Sequence, residues 1–426
     1  MKKLLITGGA RLSGTVRIHG AKNSVLPVLA ACCLCTSPCV LHNCPDIEDV
    51  RTALAILESL GCKTRWEGST LCIDASGLSR SRVEKRLAGK MRSSILFLGA
   101  LLARCGKAEL ALPGGCPLGE RPIDLHVKSL AKLGARFRFE KGILQAAWRE
   151  RRDGDIFLSI PSVGATENLL LACAMGHGTV TLHGAAREPE ITDLIGFLRA
   201  AGADIRGAGS GNITICGVKK LHGATYTILP DRIETATYLC MAAGCGGEVE
   251  LQRCDGRLLA PVIERLREAG CEIRSVGSEI ALKSSGKLTA VSPVTTAPYP
   301  GFPTDAQAIL MAAVLRAKGE SVFQETVFER RFLHVPELQK LGADIALSGK
   351  TARVRGVSDL HGAMLRAEDL RGAAALITAG LLAEGESEVL GLSHLARGYE
   401  NLEQNLKNLG AAIKSVDIPA PFVYNT

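Results

Sequence analysis

Nowhere in this chain of 426 residues do about eighteen apolar residues follow one another, the length a membrane-crossing helix needs. Its opening, Met1-Lys2-Lys3-Leu4-Leu5-Ile6, passes at once into Thr7-Gly8-Gly9, so the apolar core of a secretion signal is missing as well. The expectation is a soluble cytoplasmic protein with no membrane partner. Runs of like charge are also lacking. The chain has 51 Lys and Arg against 43 Asp and Glu, a formal net charge of +8, and no basic tail. Nucleic acid is therefore not an expected partner, and small anionic substrates account for the excess more simply. Cysteine is plentiful at 15 residues, but metal-site spacing is not. Cys32, Cys33, Cys35, Cys39 and Cys44 come nearest to it, yet no second Cys/His pair follows at zinc-finger distance. With an odd count, irregular spacing and mostly apolar neighbours, the cysteines read as small buried hydrophobes in a reducing compartment. No metal and no cofactor is expected.

A composition of 46% hydrophobic and 22% charged residues is ordinary for a globular protein, and the length exceeds what one core usually supports. Two domains are the starting expectation. One pattern recurs six times: an amphipathic stretch ending in Leu or Ala, then Gly, then Cys or Ala, then an alternating apolar strand. The glycines are Gly61, Gly134, Gly202, Gly270, Gly342 and Gly410, spaced 73, 68, 68, 72 and 68 residues apart. Each is placed where a helix end needs positive φ before the chain turns into a strand. Amphipathic helices precede the glycines, as in Glu190 to Ala201 and Leu259 to Ala269. A second set is apolar on most faces and so predicted to be buried: Asn168 to Met175, Thr235 to Ala243, Ala306 to Leu315 and Ala373 to Leu382. Strands are expected at Thr179 to Leu182, Glu248 to Leu251 and Glu388 to Leu390. The fold class is α/β, with units of about 70 residues, three per domain. A solenoid is the competing reading, but this period is longer than solenoids use.

Leu112-Pro113-Gly114-Gly115-Cys116-Pro117-Leu118-Gly119-Glu120-Arg121-Pro122 is the most informative segment. Its glycines allow close approach and movement, Arg121 suits a bidentate grip on phosphate, and a thiol near cations has acid or nucleophile chemistry. A tight turn with an incidental cysteine is the alternative. In Gly20-Ala21-Lys22-Asn23-Ser24 the lysine and asparagine fall at a helix start, which favours an anion. A solvated surface lysine is equally compatible. Arg92, Arg331, Arg371 and Arg397 are singly ordinary surface charges, but together they suit a ligand rich in phosphate oxygens. Asp305, directly ahead of the helix predicted from Ala306, is read first as a helix cap. Held beside a substrate hydroxyl it would accept a proton.

Taken together, Gly20-Ala21-Lys22-Asn23, Leu112 to Cys116, Arg121-Pro122-Ile123-Asp124-Leu125, Ser162-Val163-Gly164-Ala165-Thr166, Arg187-Glu188-Pro189-Glu190, Pro230-Asp231-Arg232, Tyr299 to Asp305 and Asp369-Leu370-Arg371 resemble the UDP-N-acetylglucosamine enolpyruvyl transferase family. The motifs run in family order over essentially the whole chain. The resemblance implies the first committed step of peptidoglycan precursor synthesis, with phosphoenolpyruvate and UDP-N-acetylglucosamine as substrates. It also implies a two-domain inside-out α/β barrel of six βαβαββ-type repeats, one domain spanning 22–229 and the other joining 1–21 to 230–426. By matching motif, Cys116 is implied as the general acid. Lys22, Arg121 and Arg397 would bind phosphoenolpyruvate, and Asn23 would hold the tetrahedral intermediate. Asp305 would orient or deprotonate the sugar hydroxyl. Arg92, Arg121, Pro122, Ile123, Asp124, Leu125, Ser162, Val163, Gly164 and Val327 would grip the uridine diphosphate sugar, and Arg331 and Arg371 would complete the anion site. The chain departs from the family pattern at Ile160 and Pro161, and at Arg330. The related enolpyruvylshikimate-phosphate synthases lack the cysteine loop, and a noncatalytic nucleotide-sugar binder is the alternative from another class.

Overall fold

The computed structural model describes residues 2–114, 118–119 and 122–418. Cys116 and Arg121 lie outside the described residues. Six apolar helices form the interior: α1 (Lys22–Cys32), α2 (Leu96–Cys105), α3 (Val163–Cys173), α4 (Arg232–Cys245), α5 (Thr304–Ala313) and α6 (Leu370–Leu382). Their Ala, Leu and Gly content explains why they form and where they sit. Ala and Leu favour helix, no polar stripe is left for water, and small side chains let helices approach. In α6 every residue is buried.

The chain divides into two compact units. One holds the described residues up to Ile18, Leu118 and Gly119, and those from Arg232 onward; the other holds the rest of His19 to Asp231. In the first unit α4, α5 and α6 pack on one another. Three four-stranded sheets accompany them, ordered Met364–Arg366, Glu386–Leu390, Lys2–Thr7, Ala412–Asp417; then Glu272–Val276, Glu279–Ser284, Gly247–Gln252, Leu12–Arg17; then Val294–Thr295, Glu320–Gln324, Thr351–Arg355, Asp344–Ser348. Each sheet is antiparallel except for one parallel pair at an edge, such as Gly247–Gln252 beside Leu12–Arg17 with Leu251 opposite Val16. Burial alternates along Gly247–Gln252, so one face covers the core, as an antiparallel sheet with one wet face requires. The second unit repeats the plan with α1, α2 and α3, two four-stranded sheets and one of three strands, Lys107–Ala111, Ile143–Ala147 and Arg136–Glu140.

All six repeat glycines have φ between 95° and 102°. Each follows an amphipathic helix, such as Glu48–Ser59 or Pro189–Ala200, and turns the chain into a strand. The buried helices start earlier than the apolar pattern predicts, at Val163, Arg232, Thr304 and Leu370 rather than Asn168, Thr235, Ala306 and Ala373. Their first turns carry polar side chains, which apolar periodicity does not register.

The described cysteines are free thiols, and the five from Cys32 to Cys44 are buried. Burial pushes the Cys44 thiol up to about 12. Among the described residues no cluster of His, Cys, Asp or Glu is placed to hold a metal ion, and no helix is long and apolar enough to cross a membrane.

Candidate active site

In the unit running from His19 to Asp231, the first turn of α1 is fixed from two sides. The Lys22 amide donates to Asp231 Oδ2 at 3.2 Å, while Ser24 Oγ donates to Asp193. Asp193 also accepts from the Leu229 amide and the Tyr226 hydroxyl, and burial holds its carboxyl above the usual range. Gly20 must be glycine here, because a Cβ would lie 1.8 Å from the Asn43 carbonyl oxygen. Lys22 Nζ pairs with Asp49 Oδ2 at 2.8 Å, and their side chains are 12% and 5% exposed, so the surface-lysine reading is overturned. Asn23 is exposed beside it. Pro27, inside α1, has no N–H to give the Asn23 carbonyl, so that oxygen lacks its usual intrahelical donor.

A second group in this unit gathers the segments from Arg92, Pro122 and Ser162. Arg92 Nη2 donates to the Pro122 carbonyl at 3.3 Å, and the helix Asp124–Lys132 starts two residues later. Ser162 caps α3 by accepting from the Ala165 amide. Buried Asn168 ties the group together. Its Oδ1 accepts from the Gly99 amide at 2.7 Å, and its Nδ2 donates to the Ile95 carbonyl and to His126 Nδ1 at 2.9 and 2.8 Å. With Nδ1 accepting, the His126 proton is on Nε2, the ring edge that packs against Gly164. Burial, then the Arg92 charge, hold His126 down to about 4, so it is neutral near pH 7. Ile123, Asp124, Leu125 and Val163 thus lie on two helix starts joined through His126. Asp124 itself is turned to Lys128 in an exposed ion pair at 3.0 Å. Ile160, where the chain departs from the family pattern, is exposed on the approach to Ser162, whose amide donates to its carbonyl.

In the other unit Asp305 is the centre of a charge cluster. Since α5 begins at Thr304, Asp305 is inside the helix and does not cap it, which corrects the cap reading. Its Oδ1 accepts from Arg331 Nη2 at 2.7 Å and its Oδ2 from Arg371 Nη2 at 2.9 Å. Both guanidinium groups are almost fully buried, while Asp305 remains 26% exposed. Arg331 also donates to the Thr304 carbonyl and lies 3.8 Å from Asp369 Oδ1. Asp369 caps α6 by accepting from the Arg371 and Gly372 amides. Arg371 Nη1 reaches the Tyr399 hydroxyl at 3.2 Å, and its guanidinium lies over the Tyr399 ring. Arg397 sits half-buried two residues before Tyr399. The intervening Gly398 is so close to Leu370 that a Cβ would come within 2.6 Å of its Cδ2. Val327 is held by Glu325, whose Oε1 accepts from the Val327 and Phe328 amides while its Oε2 accepts from Thr304 Oγ1. Arg330 donates its amide to the Leu118 carbonyl at 3.2 Å, which places the described end of the cysteine loop beside this cluster.

Asp305, Arg331 and Arg371 are therefore in contact in one unit, which also holds Val327 and Arg397, and Lys22, Asn23, Arg92, Pro122 to Leu125 and Ser162 to Gly164 occupy the other. Asp49, His126, Asn168, Glu325 and Tyr399 were not singled out from sequence. None of the five stands out from its neighbours in sequence, where Asp49 lies between Glu48 and Arg51 and Glu325 between Gln324 and Thr326.

Solved enolpyruvyl transferases share this fold. The crystal structure of the enolpyruvyl transferase NikO from Streptomyces tendae superposes with a TM-score of 0.89 at 31% identity, covering 98% of this chain and 99% of that one. EPSP synthase from Acinetobacter baumannii follows at a TM-score of 0.75 and 19% identity, covering 98% and 100%, a likeness of fold. The family model described as EPSP synthase (3-phosphoshikimate 1-carboxyvinyltransferase) matches residues 6–406, and the chain belongs to that family. Among curated relatives, UDP-N-acetylglucosamine 1-carboxyvinyltransferase 2 of Caldanaerobacter subterraneus subsp. tengcongensis is 46% identical over 97% of this chain and 99% of its own length. The UDP-N-acetylglucosamine 1-carboxyvinyltransferase of Idiomarina loihiensis is 44% identical over 98% and 100%.

Proposed function

We propose that the chain is a cytoplasmic enzyme that transfers the enolpyruvyl group of phosphoenolpyruvate to the 3'-hydroxyl of UDP-N-acetylglucosamine, releasing phosphate, as the first committed step of peptidoglycan synthesis. The names of relatives at 44 to 47% identity support the substrates. The observation that carries the chemistry is Asp305 clamped by Arg331 and Arg371 at a helix start. Two guanidinium groups fix the direction of that carboxylate, so one oxygen edge meets a hydroxyl without reorganisation.

Addition joins the sugar oxygen to C2 of phosphoenolpyruvate. Asp305 takes the hydroxyl proton, and the Cys116 thiol supplies a proton to C3. Elimination then returns a proton from C3 to the Cys116 thiolate and breaks the bond from C2 to the phosphate oxygen, which restores the double bond, and the phosphate leaves with the proton that Asp305 took. Charge grows on the substrates as the hydroxyl deprotonates, and cations already in place stabilise it most. Lys22, Arg121 and Arg397 bind the phosphate and carboxylate, and Asn23 holds the tetrahedral intermediate. Arg92, Pro122 to Leu125, Ser162 to Gly164 and Val327 hold the nucleotide sugar. The functional domains are 22–229 and 1–21 with 230–426. Isothermal titration with Arg121→Ala tests the substrate assignment: affinity for both substrates falls, and unchanged binding of both contradicts it.

A further inference from the structure

The three buried helices of the unit that contains Asp305 have two ends. Asp305 and Arg371 stand at the N-terminal ends of α5 and α6. At the opposite ends, about 15–20 Å away for helices of this length, lies a cavity of about 450 Å³. Its walls come from the C-terminal turn of α4, the residues after α5 and the last turn of α6, together with Lys287, Arg316, Lys318, Gly286 and Gly356. The volume falls within the range of small-molecule pockets.

Charge decides what such a cavity accepts. Helix C-termini carry about −0.5 charge each, so three contribute roughly −1.5, against three cations on the walls. The excess is about +1.5, and no Asp or Glu lines the cavity among the described residues. The helix ends also make limited demand on those cations. Arg316 Nη1 donates to the Leu382 carbonyl at 3.4 Å, but the Leu381 and Leu315 carbonyls take the Gly9 and Val357 amides instead. Neither the Lys287 nor the Lys318 ammonium has a hydrogen-bond or ion-pair partner among the described residues. The two lysines are held near each other by backbone, since the Lys318 amide donates to the carbonyl of Leu288 at 2.8 Å. Glycine completes the wall: a Cβ on Gly356 would lie 1.7 Å from the Ala317 carbonyl oxygen, so the backbone there is bare.

We propose that this cavity is a second anion site, which binds a compact ligand bearing two or more phosphate groups through Lys287, Arg316 and Lys318. It is separate from the candidate active site and uses none of its residues.

The test is calorimetric titration of inorganic tripolyphosphate into the full chain, with orthophosphate as the weaker comparison. Losing a charged hydrogen bond costs about 1.5–3 kcal/mol, so Lys287→Ala/Lys318→Ala should weaken tripolyphosphate by roughly tenfold or more. Lys318→Arg should retain it. Lys22→Ala should also retain it, which excludes uptake at the candidate active site. Both lysines are exposed, so the double variant should keep the wild-type melting temperature and phosphate-release rate. Equal affinity in the double variant and wild type overturns the proposal, as does the absence of tripolyphosphate binding to the wild type.

Discussion

At the scale of single residues, Asp305 shows what position in a sequence conceals. Asp just before an apolar run reads as a cap, yet its oxygens face two arginines from distant segments. Replacing it with Ala removes the proposed proton acceptor, so turnover should fall at least about a hundredfold while affinity for the nucleotide sugar stays within a few fold. Steady-state kinetics beside calorimetry checks this, and a wild-type rate removes Asp305 from the mechanism. Arg331→Ala should act on stability as well. It leaves Asp305 and Asp369 facing a buried gap, at a cost of about 3 kcal/mol in urea unfolding. A change of a few tenths would show that the pair is solvated. Lys22, Asp305 and the arginines were legible because charged residues stood out beside apolar helices. Glu325 and Tyr399 were not, since a loop strap and a ring under a guanidinium exist only as contacts, and the capping role of Asp369 was hidden within a motif read for Arg371.

At the scale of elements, the glycine pattern was legible because it reports backbone conformation directly: each turn from helix to strand needs positive φ, and all six glycines have it. The starts of α3, α4, α5 and α6 were not legible, because their first turns carry polar residues that break the apolar period, whereas the start of α1 at Lys22 was. One loop glycine has a steric reason that sequence does not reveal. Gly114, read as allowing close approach and movement, lets the chain pass the Gly89 carbonyl, 1.7 Å from where a Cβ would be. The join of α2 to α3 depends on Asn168, whose three hydrogen bonds are all buried. Asn168→Ala should destabilise the chain by about 2–3 kcal/mol, because the Gly99 amide and Ile95 carbonyl lose their partner in a dry interior. Nucleotide-sugar affinity should fall with it, since His126 loses its support. Denaturant midpoints and calorimetry read the two effects, and an unchanged midpoint contradicts the role given to Asn168.

For the whole molecule, acid should weaken the fold through two buried histidines. Burial holds both His126 and His334 down to about 4, from an ordinary value of 6.5. Above pH 6.5 neither state binds the proton; between 6.5 and 4 the unfolded chain takes it and the folded chain does not. Stability therefore falls on acidification through that window, by up to about 1.4 kcal/mol per pH unit for each histidine. His126→Asn should flatten the slope of unfolding free energy against pH, and an unaltered slope would contradict a neutral buried imidazole. The enzymatic claim itself is most directly tested by following inorganic phosphate released from phosphoenolpyruvate in the presence of UDP-N-acetylglucosamine, for the wild type and Cys116→Ala. Sugar-dependent release by the wild type that is lost in the variant is the predicted result; release by neither protein, or at equal rates by both, contradicts it.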